Sequence, residues 1–249
     1  MIDFVLNQDD PCYESTAYEP RFLSDGNVDL SHLVHCFQDL ATRQIDRLGL
    51  GDDFEKENRF FYVVLRYKGF FLKKITSYGK YRLVTYPMQA SALQLYRYAL
   101  ILDEKGQVVF YLISLWVMMD SQTRKIKPAK AFRNKAKEIL PEIENMKPLT
   151  DETLSNFSID GIPFSFCKEH IVTKDEIDSN GHMNNTVYIK LVQPMNEKMK
   201  LSSFEFDYER ECFQDEDIII YDYVNENDFY IKGMKEDDSI SFKGKFVFS

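Results

Sequence analysis

Asp175-Glu-Ile-Asp-Ser-Asn-Gly-His-Met-Asn-Asn-Thr-Val-Tyr188 is the stretch on which the reading of this chain turns. Asp, Asn and Gly resist helix and favour turns and N-caps, so its first part is a polar loop. The apolar positions that follow (Met183, Val187, Ile189, Leu191, Val192, Met195) predict a helix from about Met183. A loop feeding a helix N-terminus in this way gathers a carboxylate, an amide and an imidazole, those of Asp178, Asn180 and His182. The backbone N–H groups of the first helical turn have no intrahelical partner and can hold a developing oxyanion. This is the candidate catalytic centre, and the rest of the chain reads as its support.

Downstream, residues 201–212 alternate Phe204, Phe206 and Tyr208 against Glu205, Asp207 and Glu209, and strands at 218–224, 229–234 and 240–248 complete a meander. Upstream, residues 170–173 read as a short strand. The first half repeats the plan. An irregular strand over 11–23 leads through the turn at 24–29 into a helix at 30–48, with apolar residues at Leu33, Phe37, Leu40, Ala41, Ile45 and Leu48. Gly49 and Gly51 end it, and strands follow at 60–71, 81–88, 92–102 and 108–119. Laid on each other by their Asp-x-Asn motifs, the halves match Asp178 with Asp25, Asn180 with Asn27 and His182 with Asp29, so the first copy lacks the histidine. A helix wrapped by antiparallel strands, twice in one chain, predicts an α+β tandem repeat. The expected domains are 1–120 and 166–249, joined by a basic linker at 121–165 with a short helix between Pro128 and Pro141.

A hydrophobic content of 44% within 249 residues suffices for packed cores and excludes a disordered chain. Net charge −9 argues against a nucleic-acid partner, which calls for a basic face. Cys12, Cys36, Cys167 and Cys212 form no CxxC pair, so a zinc ribbon or redox dithiol is not expected, and free thiols suit a reducing, cytoplasmic setting. The longest apolar run, 108–119, falls short of the roughly 20 residues of a membrane span and reads as a buried strand. The N-terminal stretch has neither a basic start nor a long apolar core, so it does not read as a signal peptide. A calcium loop starting at Asp178 would need Gly and Glu where Met183 and Ile189 stand. No metal is expected.

Three stretches carry a family resemblance. Asp178-Ser-Asn-Gly-His-Met-Asn-Asn185 with Tyr188 resembles the D-x-N-x-H-x-N-N-x-x-Y motif of the acyl-(acyl carrier protein) thioesterases of bacteria and plant plastids. Tyr208-Glu-Arg-Glu-Cys212 resembles that family's strand motif ending in Glu-Cys. Ser114-Leu-Trp-Val-Met-Met-Asp120 with Thr123-Arg-Lys-Ile126 resembles the last strand of its first hotdog domain and the basic exit from it. The resemblance implies a tandem (double) hotdog, two long central helices each wrapped by an antiparallel sheet. It also implies hydrolysis of a fatty acyl thioester on acyl carrier protein without a cofactor, and places Asp178, Asn180, His182 and Glu211 in one site.

Histidine is the side chain suited to general-base work near neutrality, so His182 is the candidate base. Glu211 or Asp178 would orient it, and Asn180 can donate to the carbonyl oxygen or position the water. Cys212 offers a second mechanism as a thiolate nucleophile. Phe204, Phe206, Tyr208 and Cys212 share one face of an unbroken strand and Glu211 the other, so either Cys212 reaches the site or a bulge near Arg210 turns Glu211 inward. Asn184, Asn185, Tyr188 and, in the first half, Trp116 are substrate-binding candidates, with Asn184 and Asn185 also suited to cap and loop positions. Residues 123–137 carry seven basic side chains and no acid. Among them Arg124, Lys125, Lys130 and Arg133 are candidates to dock an acidic carrier protein. The alternatives are an acyl-CoA thioesterase of the same fold and a non-catalytic acyl-binding hotdog. A homodimer is compatible with all three.

Overall fold

Leu30, Leu33, Val34, Phe37, Leu40 and Ala41 recur at helical spacing, and all are buried along α1 (Leu30–Arg47). The computed structural model describes every residue except Met1, Asp3, Gln8, Gln89 and Ser155. The signal-peptide reading therefore falls partly outside the described residues. Asp29 caps α1, its Oδ1 accepting from the His32 N–H at 3.1 Å. The chain leaves the helix through Gly49, whose φ of 67° favours glycine. A short α2 (Asp52–Asn58) then forms where the sequence suggested only a connection. Asp52, Asp53 and Glu55 in its first turn complement the helix dipole.

The remaining elements are β1 (Glu14–Tyr18), β2 (Phe60–Phe71), β3 (Tyr81–Pro87), β4 (Gln94–Leu102), β5 (Val108–Asp120), β6 (Ile126–Lys127), α3 (Lys130–Ile139), β7 (Ser165–Ile171), α4 (Asn185–Val192), β8 (Leu201–Tyr208), β9 (Asp217–Asn225), β10 (Asp228–Met234) and β11 (Ile240–Phe248). Short 3₁₀ turns lie at Pro141–Asn145 and Lys174–Glu176. Two compact units arise, each from several stretches. The first is Met1–Pro20, His35–Leu65 and Phe71–Leu154; the second is Arg21–Val34, Arg66–Phe70 and Ser155–Ser249.

In the first unit β1, β3, β4 and β5 pair antiparallel in that order. Phe37 of α1 stacks on Phe110 of β5 at 6.1 Å between ring centres. Arg97 is buried and donates to Gln44 Oε1 at 2.7 Å and Thr85 Oγ1 at 3.1 Å. The face of α3 that carries Phe132 and Ala136 closes an apolar cluster with Cys12, Leu50, Phe60, Leu95 and Met118.

In the second unit the antiparallel order is β2 (through Arg66–Phe70), β8, β11, β10, β9, β7. Phe204, Phe206, Phe242 and Phe246 form its core, and a Cβ at Gly233 would collide with the Phe242 ring. The second central helix, expected to be long, is the eight-residue α4. Pro194 explains the shortfall, because the residue before a proline is driven out of helix and Gln193 has ψ 118°. Met195 lies beyond the helix end and is exposed.

The loops before α1 and α4 share one backbone frame. Leu23 N donates to Asn27 O, Gly26 N to Leu23 O and Asp29 N to Arg21 O; Asp178 N donates to His182 O, Gly181 N to Asp178 O and Asn184 N to Glu176 O. Gly26 and Gly181 have φ of 75° and 83°. The structural register is therefore set by these glycines and lies two residues from the Asp-x-Asn overlay: His182 corresponds to Asn27, not Asp29. The Asp-x-Asn of the first copy is a separate device. Asn27 accepts from Leu201 N at 2.9 Å and donates to Asn196 O at 3.1 Å, while Asp25 accepts from Asn196 N at 2.7 Å. Asn27→Ala would strand several buried polar groups. We expect it to lower unfolding stability by about 2–4 kcal/mol, measurable by urea titration with an unchanged slope.

Candidate active site

Thr173 and Glu176 open the loop that carries His182 as a capping box around the 3₁₀ turn, with Thr173 N donating to Glu176 Oε2 at 2.8 Å. His170 Nε2 meets the same oxygen at 2.9 Å. The loop then turns tightly through Gly181, and Asp178 Oδ1 accepts from Asn180 N at 2.8 Å. The turn drives His182 inward, where it is 6% exposed. Asn184 is the N-cap of α4, its Oδ1 accepting from Thr186 N at 2.9 Å and Thr186 Oγ1 at 2.8 Å. Among the described residues the N–H of Asn185, first in α4, makes no hydrogen bond.

The other wall comes from the segment after β8. Glu209 N and Arg210 N both donate to Ser241 O, at 2.8 and 3.0 Å, which is a β-bulge. The strand parity that would point Glu211 away is broken there. Met183 N donates to Cys212 O at 2.8 Å and joins the two walls.

His182 thus lies between two carboxylates. Its Nδ1 is 3.4 Å from Asp178 Oδ2 and 3.4 Å from Met183 O. Its Nε2 is 3.6 Å from Glu211 Oε1. These separations exceed those of strong hydrogen bonds. Asn180 is exposed at the loop tip. Cys212 is fully buried and its Sγ shares a hydrogen bond with Ser241 Oγ at 3.0 Å. Burial pushes its thiol pKa up, which disfavours a thiolate. Tyr188 is buried, and its hydroxyl accepts from Cys212 N at 3.0 Å, so it braces the Glu211 segment. Asn185 O accepts from Tyr208 Oη at 2.8 Å. Trp116 lies in the first unit, packed against its apolar cluster, and donates to Ser114 Oγ at 2.8 Å. Among the described residues no group of three or more His, Cys, Asp and Glu side chains is arranged to hold a metal ion, and no helix is long and apolar enough to cross a membrane.

Two family models match: the acyl-ACP thioesterase N-terminal domain over residues 13–131 and the acyl-ACP thioesterase C-terminal domain over residues 162–244. The chain belongs to the acyl-ACP thioesterase family. An acyl-ACP thioesterase of Bacteroides thetaiotaomicron has a similar structure, with TM-score 0.82 and 19% identity over 95% of this chain and 98% of that one. The 12:0-ACP thioesterase of Umbellularia californica gives TM-score 0.79 and 15% identity over 99% of both. At such identities the likeness speaks for the fold, an α+β tandem hotdog. A chloroplastic palmitoyl-acyl carrier protein thioesterase of Gossypium hirsutum is 29% identical over 120 residues, a match spanning 45% of this chain and 29% of that protein's length.

The linker's basic residues are not equivalent. Lys127 pairs with Asp120, Lys135 with Glu138 and Lys137 with Glu144, and Arg124 lies 5.1 Å over the Phe61 ring. Lys125, Lys130 and Arg133 form no ion pair among the described residues. Ser241 and Lys235, which touch the bulged segment, escaped the sequence reading, since a serine within a strand and a lysine beside a turn carry no local signal.

Cys212→Ser puts a hydroxyl in place of the thiol that meets Ser241 Oγ. Turnover within about threefold of wild type is expected, because the buried thiol is a poor thiolate source. Loss of all activity would restore the nucleophile.

Proposed function

We propose that the chain hydrolyses fatty acyl-(acyl carrier protein) to free fatty acid and carrier protein, in fatty acid biosynthesis and in the cytoplasm. The observation that carries the reading is the imidazole of His182 held between Asp178 and Glu211. Two oxygens face Nδ1, so the proton belongs on that nitrogen and Nε2 keeps its lone pair. Nε2 and Glu211 Oε1 are then two acceptors that can share one water. As that water attacks the thioester carbonyl, its proton passes to Nε2. The imidazolium, stabilised by Asp178, gives it to the sulfur as the carbon–sulfur bond breaks. The Asn185 N–H at the start of α4 is the oxyanion donor in this scheme. Asn180 contributes only when substrate covers the loop tip. No cofactor takes part.

Residues 166–249 carry the chemistry in this reading, 121–165 link, and 1–120 house the acyl chain, with Trp116 among its contacts. Lys125, Lys130 and Arg133, with Arg124, meet the acidic carrier protein.

Mass spectrometry of products from a panel of acyl-carrier proteins tests the reading. Free fatty acid should appear, and His182→Ala should lower kcat by at least about 10²-fold. Tight acyl binding without release, unchanged by His182→Ala, would leave a binding protein. Equal or faster turnover of palmitoyl-CoA than of palmitoyl-carrier protein would favour the CoA-dependent alternative.

Reversing Lys125, Lys130 and Arg133 to Glu should raise KM for the carrier-protein substrate and flatten its dependence on ionic strength. An unchanged salt profile would remove the docking surface.

A further inference from the structure

The peptide unit joining Glu211 to Cys212 is gripped at both ends. Its N–H, that of Cys212, donates to Tyr188 Oη at 3.0 Å. Its carbonyl, that of Glu211, accepts from Lys235 Nζ at 2.9 Å. Lys235 follows β10, in the turn that leads to β11, where its backbone N–H donates to Ser239 O at 2.9 Å. Its side chain is 17% exposed and pairs with Glu216 Oε2 at 2.7 Å. That carboxylate oxygen also accepts from Phe213 N at 2.9 Å, and the ammonium lies 5.6 Å from the centre of the Phe213 ring. One cation therefore ties together both sides of the short segment that carries Glu211.

A peptide unit within a chain is planar, and its soft motion is a rocking about the line between its two Cα atoms that swings N–H and carbonyl together, so a contact at each end resists it. The Glu211 side chain leaves from the carbon next to the gripped carbonyl, so rotation of the plane would swing its carboxylate relative to His182. Hydrogen bonds to charged donors are the stronger kind, and Lys235 is the charged member of this pair.

We propose that Lys235 is a positioning residue for the thioesterase reaction: its ammonium fixes the Glu211–Cys212 peptide plane and thereby holds the Glu211 carboxylate in register with His182. The inference rests on the function proposed above for Glu211. Misplacement of a catalytic group by about 1 Å can cost on the order of 10²-fold in rate. Lys235→Met should accordingly lower kcat by about 10- to 100-fold with KM within about threefold, and Lys235→Arg should recover most of the loss.

The deciding experiment is a double-mutant cycle with Glu211→Gln, read as fatty acid release from acyl-carrier protein. A residue that acts through the Glu211 carboxylate should add little to the loss once that carboxylate is gone. If Lys235→Met cuts turnover equally in the wild-type and Glu211→Gln backgrounds, Lys235 is only structural and the inference falls while the reaction scheme stands. Full activity in Glu211→Gln would instead overturn the scheme, and this inference with it. Should Lys235→Met fail to fold, Glu216→Gln, which releases the ammonium from its ion pair, carries the same cycle with the same two outcomes.

Discussion

One carbonyl oxygen, that of Ser241, accepts two successive backbone N–H groups, and the arrangement of the site depends on that doubled acceptor. An unbroken strand alternates its side chains, which would put Cys212 on the face of Phe204, Phe206 and Tyr208 and Glu211 on the opposite one. The extra residue absorbed at Glu209 and Arg210 resets the alternation. Cys212 turns into the packed interior against Ser241, and Glu211 comes within 3.6 Å of His182. Backbone geometry thus brings a carboxylate rather than a thiol toward His182, and burial raises the Cys212 thiol pKa, which disfavours a thiolate there.

The two helix-entry loops show how little of such a site resides in the backbone frame. They share the same three hydrogen bonds and the same left-handed glycine. At the equivalent position Asn27 spends its amide on Leu201, Asn196 and Met199 and becomes a clamp. His182 instead faces two carboxylates. An asparagine amide suits backbone groups because it offers both a donor and an acceptor. An imidazole is the group of the two that can carry a proton near neutrality.

The basic linker illustrates a different economy. Its charges are similar in sequence, yet within the fold Lys127, Lys135 and Lys137 each face an acidic partner. Lys125, Lys130 and Arg133 form no ion pair among the described residues, and they are the set that would steer an acidic partner in the function proposed above. Phe132 and Ala136 anchor the helix that carries Lys130 and Arg133 to the first unit's apolar cluster, so those charges are presented from a fixed element.

The sequence by itself determined the duplicated helix-and-meander plan, because hydrophobic periodicity reports local structure directly. It also determined the polar loop with Asp178 and His182, because a turn followed by an N-cap is encoded within a few residues. The extent of α4 was equally encoded, in Pro194, although the apolar run through Met195 obscured it. The register between the two loops was misread because the Asp-x-Asn letters coincide, whereas the glycines that fix the turns lie two positions away in that overlay. Only the tertiary structure decided the facing of Glu211, the burial of Cys212 and the contact of Lys235 with the Glu211 carbonyl. Each of these depends on a partner distant in the chain, Ser241 for the bulge and the thiol and Glu211 for the lysine, and no local pattern encodes a contact between segments that folding alone brings together.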